Sequence, residues 1–91
     1  MGNRVVVSVV GRDQIGIIAR VTAILAQQQV NVLDISQTTM QELFTMIMVV
    51  DMEKCPVSLE TLQEYLFVVE QEMGLKISLQ HEDIFKVMHR L

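Results

Sequence analysis

Hydrophobic positions along the chain follow two rhythms, one of period two and one near 3.6, and together they predict a run of strands and helices. The first segment, Arg4 to Val10, is β-branched and apolar on both parities, the pattern of a central strand covered on two sides. Gly11 ends it. Ile17, Ile18, Val21, Ile24 and Leu25 then recur at helical spacing up to about Gln29, with Asp13 placed to cap the helix start. A second strand, Val30 to about Met40, sets Leu33 and Ile35 on one face and Asp34, Ser36 and Thr38 on the other, the alternation of an edge strand. Phe44 to Met52 is again apolar on both parities and belongs in the middle of the sheet. Between these two strands, Met40-Gln41-Glu42-Leu43 lacks an Asn-Gly or Asp-Gly pair, so the hairpin is inferred from its flanks. Beyond Pro56, Ser58 caps a second helix that carries Leu59, Leu62, Leu66, Val69 and Met73 in one stripe and ends at Gly74. Leu75 to Gln80 alternates as another edge, and Asp83 opens a short C-terminal helix, about 83–91, with Ile84, Val87, Met88 and Leu91 on one face.

The order β-α-β-β-α-β, with no Pro- or Gly-rich linker, predicts an α+β, ferredoxin-like two-layer sandwich. It is a four-stranded antiparallel sheet with two helices on one face, in a single domain with its core over residues 4–80. The other face is then bare, although the central strands carry apolar residues there too. A content of 51% hydrophobic residues in a 91-residue chain sharpens the point, because so small a core hides little and the excess needs a neighbour. A homodimer or higher homo-oligomer is therefore expected, through sheets paired edge to edge or face to face.

Charge and reactive residues exclude several functions. The net charge is −4, and residues 41–91 carry nine acidic groups against four basic ones, a field that repels nucleic acid phosphates. Only four aromatic residues are present, too few for a base-stacking sheet. No apolar run approaches the roughly 20 residues of a membrane span, and Met1 to Arg4 run straight into a strand without a leader's apolar stretch, so a cytoplasmic protein is expected. Cys55, the single cysteine, has no base at recognisable spacing and reads as structural. His81 and His89 are eight apart and read as solvent-facing; neither a metal site, a cofactor nor a catalytic set is expected, and Met46, Met48 and Met52 read as adaptable packing.

The most specific segment is Gly11-Arg12-Asp13-Gln14-Ile15-Gly16-Ile17-Ile18-Ala19, between the first strand and the first helix. Glycines here allow close approach of backbone or ligand, and free N–H groups at a helix start attract a carboxylate. An amino acid brings such a carboxylate, and its ammonium group needs an acceptor such as Asp13, Asp34 or the Asn31 side chain if the second strand begins near the loop. The same residues also have purely structural readings: Asp13 as a helix cap, Gly16 as a close-packing residue, Asn31 as a turn.

This segment resembles the ACT domain signature, a strand ending in Gly-x-Asp-x-x-Gly with an aliphatic pair and a small residue, followed about a dozen residues later by Asn and a β-branched residue. Gly11, Asp13, Gly16, Ile17, Ala19, Val21, Asn31 and Val32 fill those positions in order, and Ile15 stands where the family usually has proline. The likeness covers roughly residues 4 to 80. It is nearest to small free-standing ACT proteins, similar to the glycine-cleavage regulatory protein and to the front domain of formyltetrahydrofolate deformylase. The resemblance implies a regulatory domain whose effector sits between the first loop of one subunit and second-strand residues around Asn31 of its neighbour. On that basis Gly11, Arg12, Asp13, Gln14, Ile15, Gly16, Asn31, Val32 and Asp34 are the expected ligand-binding residues. The effector is expected to be an amino acid, with a partner enzyme or regulator reading the bound state.

Two other readings compete. A ligand-free interaction module needs only the exposed edge strands and the C-terminal helix. An acylphosphatase-like hydrolase shares the fold and a Gly-Arg-x-Gln loop, as in Gly11-Arg12-Asp13-Gln14. That likeness fails next, because Ile15 intervenes, Arg20 falls one position late, and no Asn follows near the end of the first hairpin.

Overall fold

The computed structural model describes residues 3–83. β1 (Arg4–Arg12) leads into α1 (Ile17–Gln27), followed by β2 (Asn31–Met40), β3 (Leu43–Asp51), α2 (Leu59–Met73) and β4 (Lys76–His81). The four strands form one sheet in the order β2-β3-β1-β4, each neighbour antiparallel to the next. This is the expected ferredoxin-like βαββαβ arrangement. Strand roles follow the side-chain parity: the doubly apolar β1 and β3 are central, and the alternating β2 and β4 are the edges.

One parity of the central strands makes the core. Val5, Val7 and Val9 of β1 and Met46, Met48 and Val50 of β3 are fully buried, and Phe44 nearly so. Against them pack Ile17, Val21 and Leu25 from α1, the Leu62, Leu66 and Val69 stripe of α2, Leu75, and Ile77 and Leu79 of β4. Truncating Leu25 or Leu66 to alanine opens a hole in this layer at a cost of about 2–5 kcal/mol. The β2 edge is mostly exposed and takes a bulge between Val32 and Asp34, so Leu33 is the extra residue and the regular alternation starts at Asp34.

Several boundaries move from the sequence expectation. β1 runs through Gly11 to Arg12, because Gly11 and Arg12 still pair with Phe44 and Leu43 of the hairpin. Asp13 does not cap α1: Gly16 is the residue before the helix, with no side-chain cap, while the Asp13 amide donates to the Glu42 carbonyl at 2.8 Å. The chain closes the β2–β3 hairpin with Gln41 and Glu42, Gln41 taking a φ of +57. Ser58 and Gly74 bound α2 as expected, the Ser58 hydroxyl accepting from the Thr61 amide. The expected helix over 83–91 and His89 fall largely or wholly outside the described residues.

Candidate ligand site

The β1–α1 loop is built by two glycines with different duties. A Cβ on Gly11 would lie 2.7 Å from Leu75 Cδ2 and 3.3 Å from the Gly74 carbonyl, so the entry to β4 packs against Gly11 too closely for a side chain there. Gly16 is the reverse case. Its φ of +95 is a conformation that side-chain-bearing residues avoid, yet a Cβ there would meet nothing within 4 Å. Backbone geometry alone demands it.

That helix start is chemically bare. No side chain caps α1 and its first turn holds no acidic residue. Arg12, Asp13, Gln14 and Ile15 are exposed beside it, Ile15 completely so. No side chain satisfies the amides of the first turn, which stand at the positive end of the helix dipole, an arrangement suited to a carboxylate. The loop itself is anchored. The Gln14 amide donates to the Met73 carbonyl at 2.8 Å and to the Arg12 carbonyl at 3.2 Å, tying the loop to the end of α2, and Arg20 at the first turn of α1 pairs with Glu72. The Arg12 guanidinium lies 3.0 Å from Glu42, both side chains largely exposed, so that pair adds little stability. Beside these residues a shallow depression of about 460 Å³ is lined by Gly11, Arg12 and the hairpin residues Met40 to Leu43.

The second half of the expected site is elsewhere in the protomer. β1 and β2 both run antiparallel to β3, so they are parallel to one another, and the end of β1 and the start of β2 necessarily lie at opposite ends of the sheet. Asn31 shares its row with Asp51 and Arg4, eight rows or about 27 Å from the Arg12 row. Val32 is half-buried against the core, and Asp34 pairs with Val49 on the helix-free face, its carboxylate accepting from the Ile35 amide at 2.9 Å. Within one chain, then, Gly11 to Gly16 come together and Asn31, Val32 and Asp34 do not join them. A larger depression of about 640 Å³ does lie at the Asn31 end of the sheet. Asp51, Glu53, Glu82 and Asp83 line it with Arg4 and His81, which makes it a poor seat for a carboxylate.

Among the described residues no group of three or more His, Cys, Asp or Glu is arranged to hold a metal, and no helix is long and apolar enough to cross a membrane. Cys55 is half-buried against the core, its Sγ 3.5 Å from the Val57 carbonyl, and His81 is exposed at the end of β4.

Comparison with known proteins bears on the same residues. The family model described as ACT domain matches residues 3–80. A UPF0237 protein of Methanocaldococcus jannaschii is 49% identical over 89 residues, covering 98% of this chain and 99% of its own. An ACT domain protein from Streptococcus pneumoniae superposes with a TM-score of 0.77 at 34% identity, over 91% of this chain and 93% of that one. A formyltetrahydrofolate deformylase from Pseudomonas syringae pv. tomato superposes with a TM-score of 0.80 at 19% identity, over 88% of this chain but 28% of that one, a likeness of fold.

Proposed function

The chain belongs to the ACT domain family, and from that premise we propose that it is a cytoplasmic regulatory domain, without catalytic activity, that binds an amino acid as a homodimer. The observation that carries this reading is the bare start of α1: Gly16 in the left-handed region with no protein atom within 4 Å of where its Cβ would stand, no side-chain cap, and no acid in the first turn. The effector's carboxylate takes the amides of Ile17 to Ala19, and Asp13 is the acceptor on the same loop for its ammonium group.

A second copy completes the site. Because Asn31 sits at the far end of β2, antiparallel pairing of β2 with the β2 of another chain brings the partner subunit's Asn31 to the Met40 end of this one, the end where the glycine loop lies. β2 supports that pairing: it is an edge, it is exposed at every position but Val32, and Leu33 and Ile35 are each more than two-fifths exposed. A ligand held by two subunits tightens their pairing, and a partner enzyme or regulator reads the change.

A thermal-shift panel of the twenty amino acids on the full chain tests the proposal. A ligand at a hundred times its Kd raises the melting temperature by roughly 10 °C for a domain of this size. Asn31→Ala abolishes that shift while leaving the ligand-free melting temperature in place. No shift with any amino acid overturns effector binding and favours the ligand-free interaction module, which the same exposed β2 edge supports.

A further inference from the structure

The sheet has two edges, and their backbone groups fare differently. In an antiparallel ladder the amide and carbonyl of every second residue point away from the paired strand. On the outer side of β4 those residues are Ile77 and Leu79. The Glu70 carboxylate accepts from the Ile77 amide at 2.7 Å, the Gln63 side-chain amide donates to the Ile77 carbonyl at 2.9 Å, and the Gln63 side-chain oxygen accepts from the Leu79 amide at 3.2 Å. All three bonds are partly buried. Gln63 and Glu70 stand seven residues apart on one stripe of α2, beside the buried Leu62, Leu66 and Val69, so two turns of helix lay them along β4. They give β4 a donor and two acceptors, the groups an added strand would otherwise bring.

β2 has no such cover. The same alternation, followed through β1 and β3, makes Ile35, Gln37 and Thr39 its outward residues. Among the described residues no side chain of another element bonds to the β2 backbone; the Ile35 amide donates to its own neighbour, the exposed Asp34 carboxylate, at 2.9 Å.

An open β4 would match that edge. Strand direction alternates across the order β2-β3-β1-β4, so a copy displaced sideways in the same orientation sets its β2 antiparallel beside β4, with the helices of both copies on one face. Such a contact is heterologous and does not close, because each added copy presents a new β4. Pairing of β2 with β2 is isologous instead, and it ends at two copies.

We infer that Gln63 and Glu70 keep edge pairing from becoming open-ended: by holding the outward groups of Ile77 and Leu79 they deny β4 to the β2 edge of a second copy. Unpaired backbone at a sheet edge templates further strands, and here two side chains of α2 remove that template. The end point of two copies rests on the β2 pairing proposed above; the closure of β4 does not.

Sedimentation velocity on the full chain, from micromolar to millimolar, tests it, with circular dichroism on the same samples. Wild type holds a bounded mass over the whole range. Gln63→Leu with Glu70→Leu removes every one of these bonds, and its weight-average mass climbs with concentration to roughly threefold that of wild type or more. Glu70→Gln keeps an acceptor oxygen for the Ile77 amide and behaves as wild type. Gln37→Pro sits at an outward amide of β2, where no bond to β3 is lost, and it stops the growth of the double variant. Three results overturn the inference: a folded double variant no larger than wild type; growth that Gln37→Pro leaves intact, since unfolding and not an opened edge then drives it; or open-ended growth in wild type. Should the double variant lose its helical signal, Gln63→Leu alone, which frees two of the three groups, is read in its place, and a bounded mass there overturns the inference equally. A wild type that stays monomeric counts against the dimeric effector site alone, because the closure of β4 is read from the variants.

Discussion

At the start of α2, the Ser58 hydroxyl accepts from the Thr61 amide and Glu60 sits in the first turn; at its end, Gly74 takes φ +66 and the Leu75 amide returns to the Glu70 carbonyl. At the start of α1 there is neither cap nor acid, and just past its end Gln29 holds φ +59 while the Val30 amide returns to the Leu25 carbonyl. The two helices use the same closing motif with unlike residues. α2 satisfies its own backbone with side chains suited to the task, whereas α1 leaves its amides free and makes a glutamine do a glycine's work. On the proposed reading α1's start is left open for an effector, while α2's ends serve the fold alone.

Among changes at the helix ends, the largest expected effects lie at the two left-handed closures, and they have opposite signs. Gly74→Ala puts a side chain into φ +66 where nothing else obstructs it, so the loss, about 1–2 kcal/mol, is backbone strain alone. Gln29→Gly relieves the corresponding strain in α1 and gains up to about 1 kcal/mol, since the αL cost is removed while some unfolded-state entropy is added. Urea unfolding of both variants measures the pair. Equal signs would mean that the two closures are not equivalent and that Gln29 is held by contacts other than the motif.

This asymmetry was legible in the sequence at α2 and hidden at α1, for a physical reason. Ser58 and Gly74 act within one turn of their own helix, so their spacing announces them. Asp13 has the chemistry of a cap but lies three residues before Gly16, where α1 is entered, and its backbone amide is held by the Glu42 carbonyl, a partner 29 positions away that only the folded hairpin supplies. Strand roles were legible for a similar reason: whether one parity or both are apolar reports directly on how many faces are covered, and β1 and β3 proved central while β2 and β4 proved edges. The candidate site was legible only in part. Gly11 to Gly16 form one continuous segment, but Asn31 is separated from it by the length of the sheet, a consequence of β1 and β2 being parallel that matters only once strand order is known. Gly11 also has a packing duty the sequence did not announce, because Leu75 comes against it only in the folded sheet.

A smaller loss is expected at the well-made helix start. Ser58→Ala leaves the Thr61 amide without its acceptor and costs about 1 kcal/mol, read as a lower urea midpoint at unchanged slope. Effector affinity stays as in the wild type, because Ser58 caps the wrong helix to touch the ligand. A parallel drop in affinity would show that α2's start, not α1's, is the functional end.

The smallest effect on stability discriminates most. Ala19 is exposed and third in α1, the position from which a glutamate reaches back toward the residue before the helix. Ala19→Glu therefore gives α1 the acid that its first turn lacks and stabilises the free protein by about 0.3–1 kcal/mol through the helix dipole. The same carboxylate occupies the seat proposed for the effector, so binding weakens, on the order of tenfold, as stability rises. Titration calorimetry beside urea unfolding reads both quantities on one sample. Stability and affinity moving in opposite directions ties the bare amides to the ligand; a gain in stability with affinity untouched means the effector, if bound, sits elsewhere, and the openness of α1 then has no bearing on its recognition.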